Sequence, residues 1–559
     1  MTIYDCCSPT RKKPRVEWWL GSLVVLFPAL AMFQQGAPPI ILSRETTFVT
    51  EPLKADGLPD YEKYALAVYR ANIVPENNAA VLLWTAMWPG EIEPADYSRF
   101  CRELGLVEVP DAATACQPLY GDDNRRHVLK WLHSRGNANA TQDTVGAVLD
   151  EATTRPWKIQ SLPPLADWVR KNRSALDAIV AASHRPQFYS PSPSLLNEVD
   201  EPLVEMLMPG AQMARSAARS LSVRAMSYLG EGHINRAWQD ILACHRLARL
   251  LPTGTLIEYL VAIGIDEKAS DSTVALLSDP RISPEQARPV LRDIQSLSEF
   301  TTIADSYDEL ERIVYLDSVL ALRGRRARAW QELFELDDEF FNVTKLPADW
   351  NVALRQGNEL YDRMAATARM PSSRARDAAI SRIIADIEKL GDDAKRRLPS
   401  IAVLNPQARG EVFAALTIAL MVPAFDASLT AQDRVNTKLH LTRLAAAIAV
   451  YRAEHGTYPA KLDDLAPSVL LRVPVDLHNR RFGYRQKSDG YLLYTRGKNG
   501  ADDHGSHEQY QVLNGEQLDT LNEAQAEARQ AQIPKGADDI SILVPRPAFE
   551  LPKLQAIPQ

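Results

Sequence analysis

A chain of 559 residues exceeds what one hydrophobic core usually organises, and roughly 150 residues per domain predicts about three or four units, at least two domains plus an anchor. An apolar share of 46% with 24% charged residues excludes wholesale disorder, and a net charge of -8 disfavours nucleic acid as the principal partner, because phosphate binding needs an organised excess of Lys and Arg. Five cysteines without a CxxC pair exclude a disulfide-stapled miniature scaffold and a zinc ribbon.

The head, residues 1–17, carries Arg11-Lys12-Lys13-Pro14-Arg15. An uncharged apolar run from Trp18 to Phe33 comes next, so residues 18–34 are expected to form a transmembrane helix or a signal segment. Basic residues ahead of such a run hold the head in the cytoplasm and send the downstream chain across. The run is shorter than the roughly 20 residues a spanning helix needs, and Ala29-Leu30-Ala31 has the small-x-small form of a cleavage site. Trp18-Trp19 suit the headgroup boundary of a retained helix. A single-pass anchor and export after cleavage both place residues 40–559 outside the cytoplasm. Cys6 and Cys7 then stay on the reducing side, Cys101 and Cys116 could pair in an oxidising space, and Cys244 reads as a buried inert thiol.

Residues 35–60, with Ala37-Pro38-Pro39 and Glu51-Pro52, read as a linker, and 61–400 as an all-α body. Tyr61–Arg70 repeats apolar residues at three and four, and Asn77-Asn78 offers a cap for the next helix. Between Arg219 and Leu251, the stripe Leu221, Ala225, Leu229 is broken by Gly230-Glu231-Gly232 and resumes as Ala237, Ile241, Cys244, Ala248. This pair resembles one tetratricopeptide-like hairpin, without a sustained 34-residue period. His233 and His245 lie within it and read as surface or core histidines rather than a metal pair. Arg323-Gly324-Arg325-Arg326-Ala327-Arg328 reads as a solvated helix face. Glu359 and Asp362, three apart beside Asn358, share one helix face and are the place where an active site in the body would be sought.

Residues 410–545 predict an α+β module, and 546–559 a proline-rich tail. The apolar stretch from Val412 to Phe425 is too short to span a bilayer and predicts a buried helix. Leu441, Leu444, Ile448 and Tyr451 recur at helical spacing before His455-Gly456, where glycine can take a left-handed stop. Gly456-Thr457-Tyr458-Pro459 and Pro474-Val475-Asp476 come after it. Phe482–Arg485 and Gly490–Thr495 then predict two short antiparallel strands turned at Ser488-Asp489-Gly490.

In this order, the long helix ending in Gly-x-Tyr-Pro, the Pro-x-Asp step, the aromatic hairpin, the loop Gly497-Lys498-Asn499-Gly500-Ala501-Asp502-Asp503 and the later Ala537-Asp538-Asp539-Ile540 resemble the globular part of type II secretion pseudopilins, over about 110 of the 559 residues. The resemblance implies a structural calcium held by Asp502, Asp503 and Asp539, with Asp538 a further candidate. Calcium takes six to eight hard oxygens, and a flexible Asn-Gly-x-Asp-Asp loop offers carboxylates and exposed carbonyls. His504 and His507 extend that loop and read as solvated. The chain departs from that family in the body that separates its apolar run from the module, and no Gly-Phe-Thr-Leu-Ile-Glu-like processing motif occurs in residues 1–35.

The expected protein is therefore mainly α: a membrane helix, a multi-helical body and a pilin-like module of long helix and small sheet. No nucleophile elbow, HExxH, P-loop or dinucleotide fingerprint is present, and no residue is assigned a catalytic role. A non-catalytic, membrane-anchored envelope protein, a scaffold or binding component with envelope or secretion partners, is the first expectation. An envelope enzyme working near Asn358 and Asp362 is the second.

Overall fold

A computed structural model of the chain describes residues 37–549 except 91, 194–201, 206–207, 253, 325–343, 373, 423–424, 519–522 and 547–548. The expected membrane segment and most of the basic cluster after Gly324 lie outside the described residues. Those described are mainly helical, with 59% helix against 4% strand.

Local chemistry places the first helices. Asp60 accepts from Lys63 N–H at 3.1 Å to open α1 (Tyr61–Arg70), and Asn78 accepts from Ala80 N–H at 3.0 Å to open α2 (Ala79–Met87). Each cap satisfies a backbone donor the helix leaves unpaired, worth roughly 1 kcal/mol. Beyond them run α3 (Tyr97–Leu104), α4 (Asp122–Ser134), α5 (Gln142–Thr154), α6 (Pro163–Lys171) and α7 (Arg173–Ala182). The helix pair expected between Arg219 and Leu251 is α8 (Pro209–Gly230) and α9 (Ile234–Leu250), the first helix starting ten residues before Arg219. Both stripes are buried against each other.

A reciprocal box between Thr255 and Glu258 starts α10 (Leu256–Leu277), followed by α11 (Pro284–Ser296), α12 (Ala304–Asp308) and α13 (Leu310–Arg323). After them come α14 (Trp350–Ala368), α15 (Arg374–Arg397) and α16 (Pro406–Met421). α16 buries Val412, Phe413, Ala414 and Ile418 against α14 and α15, and Phe413 stacks on Trp350 at 4.8 Å. Within Pro406–His455 an 18-residue window with a mean hydropathy of 1.9 is apolar enough to cross a membrane, yet 69% of that window is buried within the fold, as in a core helix.

The long helix α17 (Phe425–His455) joins body and module. Leu439, Leu441 and the run Leu444–Val450 are all buried, an apolar circumference that requires protein on most sides. Body helices α10 and α11 cover one part of it and the sheet another. The apolar core is consequently one contiguous cluster from Val49 to Val544, and the units expected from chain length share it. Gly456 ends the helix at φ +76°, the left-handed stop.

β1 (Gly483–Gln486) and β2 (Tyr491–Tyr494) pair antiparallel, Lys487 N–H closing the turn on Gly490 O at 2.9 Å. β3 (Val512–Leu513) and β4 (Glu516–Gln517) form a separate ribbon, and α18 (Glu523–Gln530) leads back to β5 (Ser541–Val544). The last strand pairs antiparallel with β2, giving the order β1-β2-β5. Central β2, Tyr-Leu-Leu-Tyr, is buried along its whole length.

Candidate metal centre

The pairing of β2 with β5 brings two acidic loops together. Thr495 N–H donates to Ile540 O at 3.0 Å just beyond the paired strands, so the loop leaving β2 runs beside Asp538 and Asp539, which lead into β5. Asp503, Asp538 and Asp539 each offer a carboxylate oxygen, all within 4.8 Å of one another.

Backbone donors hold these carboxylates. Asp539 is 1% exposed; its Oδ1 accepts from Gly497 N–H at 3.2 Å and its Oδ2 from Gly505 N–H at 2.9 Å. Asp538 Oδ2 accepts from Asn499 N–H at 3.0 Å, while its Oδ1 is buried with no hydrogen-bond donor. Asp503 Oδ2 accepts from Asn499 Nδ2 at 2.9 Å and from Asp538 N–H at 3.2 Å. Asn499 is the hub: it also donates to Gly536 O and accepts from Ala501 N–H. A Cβ on Gly497 would stand 2.0 Å from Asp538 Oδ1, so only glycine admits that carboxylate.

Burial pushes the Asp538 carboxyl above its ordinary range and that of Asp539 up to about 6, with neighbouring Asp503 adding to both shifts. No Lys, Arg or His among the described residues forms an ion pair with any of the three. Three carboxylates converge on a space where one buried oxygen lacks a donor and, among the described residues, no ion pair balances them, the Arg480 charge acting on Asp538 without pairing with it. Hard-oxygen chemistry of this kind fits calcium, the remaining ligands coming from carbonyls and water.

Asp502, Asp503 and Asp539 are thus not brought together as one set. Asp502 turns away: its Oδ1 accepts from Tyr494 Oη at 2.9 Å and from His504 N–H at 3.2 Å, and its Oδ2 lies 3.4 Å from Arg496. Asp538 takes its place in the cluster. His504 is exposed beside Asp502. His507 differs from the solvated reading: it is half-buried against Tyr510, and burial, reinforced by the Arg434 charge, pushes its pKa down to about 4. Asp476 caps its own turn, accepting from His478 and Arg480 N–H and pairing with Arg480 Nε at 3.1 Å. Asn499 and the amides of Gly497 and Gly505 went unassigned in the sequence; their signal is the glycine bracketing of the acidic loop.

In the body, Asn358 and Asp362 meet at a structural cross-link. Asn358 Nδ2 donates to Thr46 O at 2.6 Å and to Glu45 O at 3.1 Å, and its Oδ1 accepts from buried Arg312 at 3.2 Å. Arg312 also pairs with Asp308 at 2.9 Å and with exposed Asp362 at 2.7 Å, and Glu359 is exposed. A cavity of about 30 Å³ lies elsewhere, lined by Tyr69, Tyr189 and Glu258, the last pushed up to about 7 by burial. That volume suits roughly one water. His233 is exposed, whereas His245 is fully buried, its Nδ1 2.5 Å from Asp266 and its Nε2 3.0 Å from Thr273 Oγ1. Cys101, Cys116 and Cys244 are buried free thiols, so the bridge considered for the first two is not formed.

No family model, curated protein or solved structure matches this chain.

Proposed function

We propose that this is a non-catalytic, single-pass protein of the cell envelope, its head cytoplasmic and its body outside, working as a scaffold for envelope or secretion partners. In this reading the C-terminal unit is a pseudopilin-like module braced by calcium on Asp503, Asp538 and Asp539. The observation that carries it is the convergence of those carboxylates at the edge of a long-helix-plus-sheet unit, in the chain order the resemblance implies. A bound divalent cation would offset most of the cluster's charge and tie the loop after β2 to the approach to β5, stiffening a surface made of loops. Calcium at 100 times its Kd would stabilise the folded chain by about 2.7 kcal/mol.

The basic head and apolar run support the anchor, and the body's interlocked helices suit a rigid spacer between membrane and module. The test is affinity purification of the native chain from gently solubilised membranes, with its intact mass. Co-purifying envelope proteins and an uncleaved N-terminus are expected. A chain mature from residue 32 would replace the anchor with export, and purification without partners would contradict the scaffold.

A further inference from the structure

Asn351, 2% exposed in the first turn of α14, grips the incoming chain with both ends of its amide. Ile41 N–H donates to its Oδ1 at 2.8 Å, and its Nδ2 donates to Pro39 O at 2.9 Å. The chain is therefore fixed to the body from Pro39 onward, only six residues after Phe33 ends the apolar run. Six residues reach at most about 20 Å when fully extended. A body of about 500 residues measures roughly 60 Å across, so a tether of that reach selects one end of it.

That end is built around the start of α14. Asp349 N–H donates to Pro406 O at 2.8 Å, which brings the start of α16 alongside. Arg409 fastens the preceding turn: its guanidinium donates to Pro347 O at 2.9 Å, Ile401 O at 3.1 Å and Ala402 O at 2.8 Å. The two chain segments held here expose apolar side chains, Ile41 at 53% and Leu42 at 38% on one, Val403 at 85% on the other. Of the neighbouring cations, Arg396 pairs with Asp393 at 3.1 Å and Arg397 with Glu411 at 3.0 Å, Arg409 is engaged by backbone carbonyls, and Arg44, two residues after Leu42, is exposed and lies over the Phe48 ring.

We infer that this end of the body, carrying Ile41, Leu42 and Val403, rests on the lipid bilayer, with those side chains in the interface. The inference rests on the anchored reading above, since a retained apolar run supplies the short tether. The headgroup layer takes up about 5–7 Å of the reach, leaving at most about 13–15 Å, little more than one helix diameter, so the end lies close enough to settle on the lipid. Apolar contact governs the fit, with the exposed Arg44 adding an attraction that salt screens, and the contact persists at high salt.

The test places a nitroxide at Val403→Cys, or at Leu471→Cys as a reference that is 92% exposed on the C-terminal module, in the full chain carrying Cys6→Ser and Cys7→Ser. The chain is reconstituted into phosphatidylcholine–phosphatidylglycerol vesicles, and collision with oxygen, which concentrates in lipid, is compared with collision with a water-soluble nickel complex. Oxygen dominance at position 403, nickel dominance at 471 and no change in 0.5 M salt are expected. Nickel dominance at both positions in vesicle-bound protein overturns the inference while leaving the anchor intact. Protein that floats free of the vesicles overturns both.

Discussion

Two buried aspartates of the body, Asp240 and Asp266, and the Asp503, Asp538 and Asp539 cluster of the C-terminal module are handled in opposite ways. On α8 and α9, Arg224 and Asp240 are both buried and face each other through two hydrogen bonds of 2.9 and 2.7 Å, and Arg224 also pairs with Asp177 at 2.6 Å. Asp266 on α10 faces His245 and Arg249, each at 2.5 Å. Every one of these carboxylates has its cation within the fold. Asp503, Asp538 and Asp539 have backbone amides, an asparagine and one another. Internal balance marks a cross-link between helices, and the unbalanced convergence is where the proposed calcium would sit.

The largest expected effect lies in the body. Arg224→Leu leaves Asp240 buried without a cation and should cost roughly 3–5 kcal/mol, read as a lowered urea midpoint for the full chain. A loss below about 1 kcal/mol would mean the pair is not the interior cross-link described. Asp539→Asn should act differently: it relieves crowding among the carboxylates but takes away the acceptor of Gly497 or Gly505 N–H, so without calcium it should cost about 1–3 kcal/mol, while abolishing a calcium-induced gain of about 2–3 kcal/mol. Calcium protection that survives this substitution would remove Asp539 from the site.

Acid should separate the two regions by sign. Against the opposing pull of burial, the charges of His245 and Arg249 hold Asp266 down to about 2, below the 3.9 or so of an unfolded aspartate. The unfolded chain then binds more protons between about pH 4 and 2, so the Asp266 contribution is complete above pH 4 and is lost as pH falls through that window. Asp539, held up at about 6, binds its proton in the folded state first. In chelator, its region should lose stability as pH rises from about 4 to 6. Amide hydrogen exchange on peptides of α9–α10 and of β2–β5 reads both, and parallel profiles would erase the contrast. The smallest effect is expected at Asp362→Asn: exposed Asp362 shares Arg312 with Asp308 and Asn358, and its loss should cost less than about 1 kcal/mol by urea denaturation.

The legibility of the sequence tracks the range of the forces involved. Asn78 as a cap, the left-handed stop at Gly456, the α8–α9 break and the β1–β2 hairpin all depend on neighbours a few residues away, and these features appear in the structure. The candidate cluster depends on β5 returning beside β2, about fifty residues on, a pairing invisible to local pattern. That return decides which acids converge: it sets Asp538 against Asp503 across 35 residues, while Tyr494 and His504 draw Asp502 aside. Burial of His507 has the same origin, since Arg434 and Tyr510 reach it from α17 and from its own loop.

Isothermal titration of calcium into the full-length chain, stripped with chelator at neutral pH, tests the unbalanced cluster most directly. One ion per chain with measurable heat is expected, lost in Asp539→Asn and unchanged in Asp362→Asn. A wild-type titration without heat at millimolar calcium, together with a melting temperature that calcium does not move, would contradict a calcium-braced module.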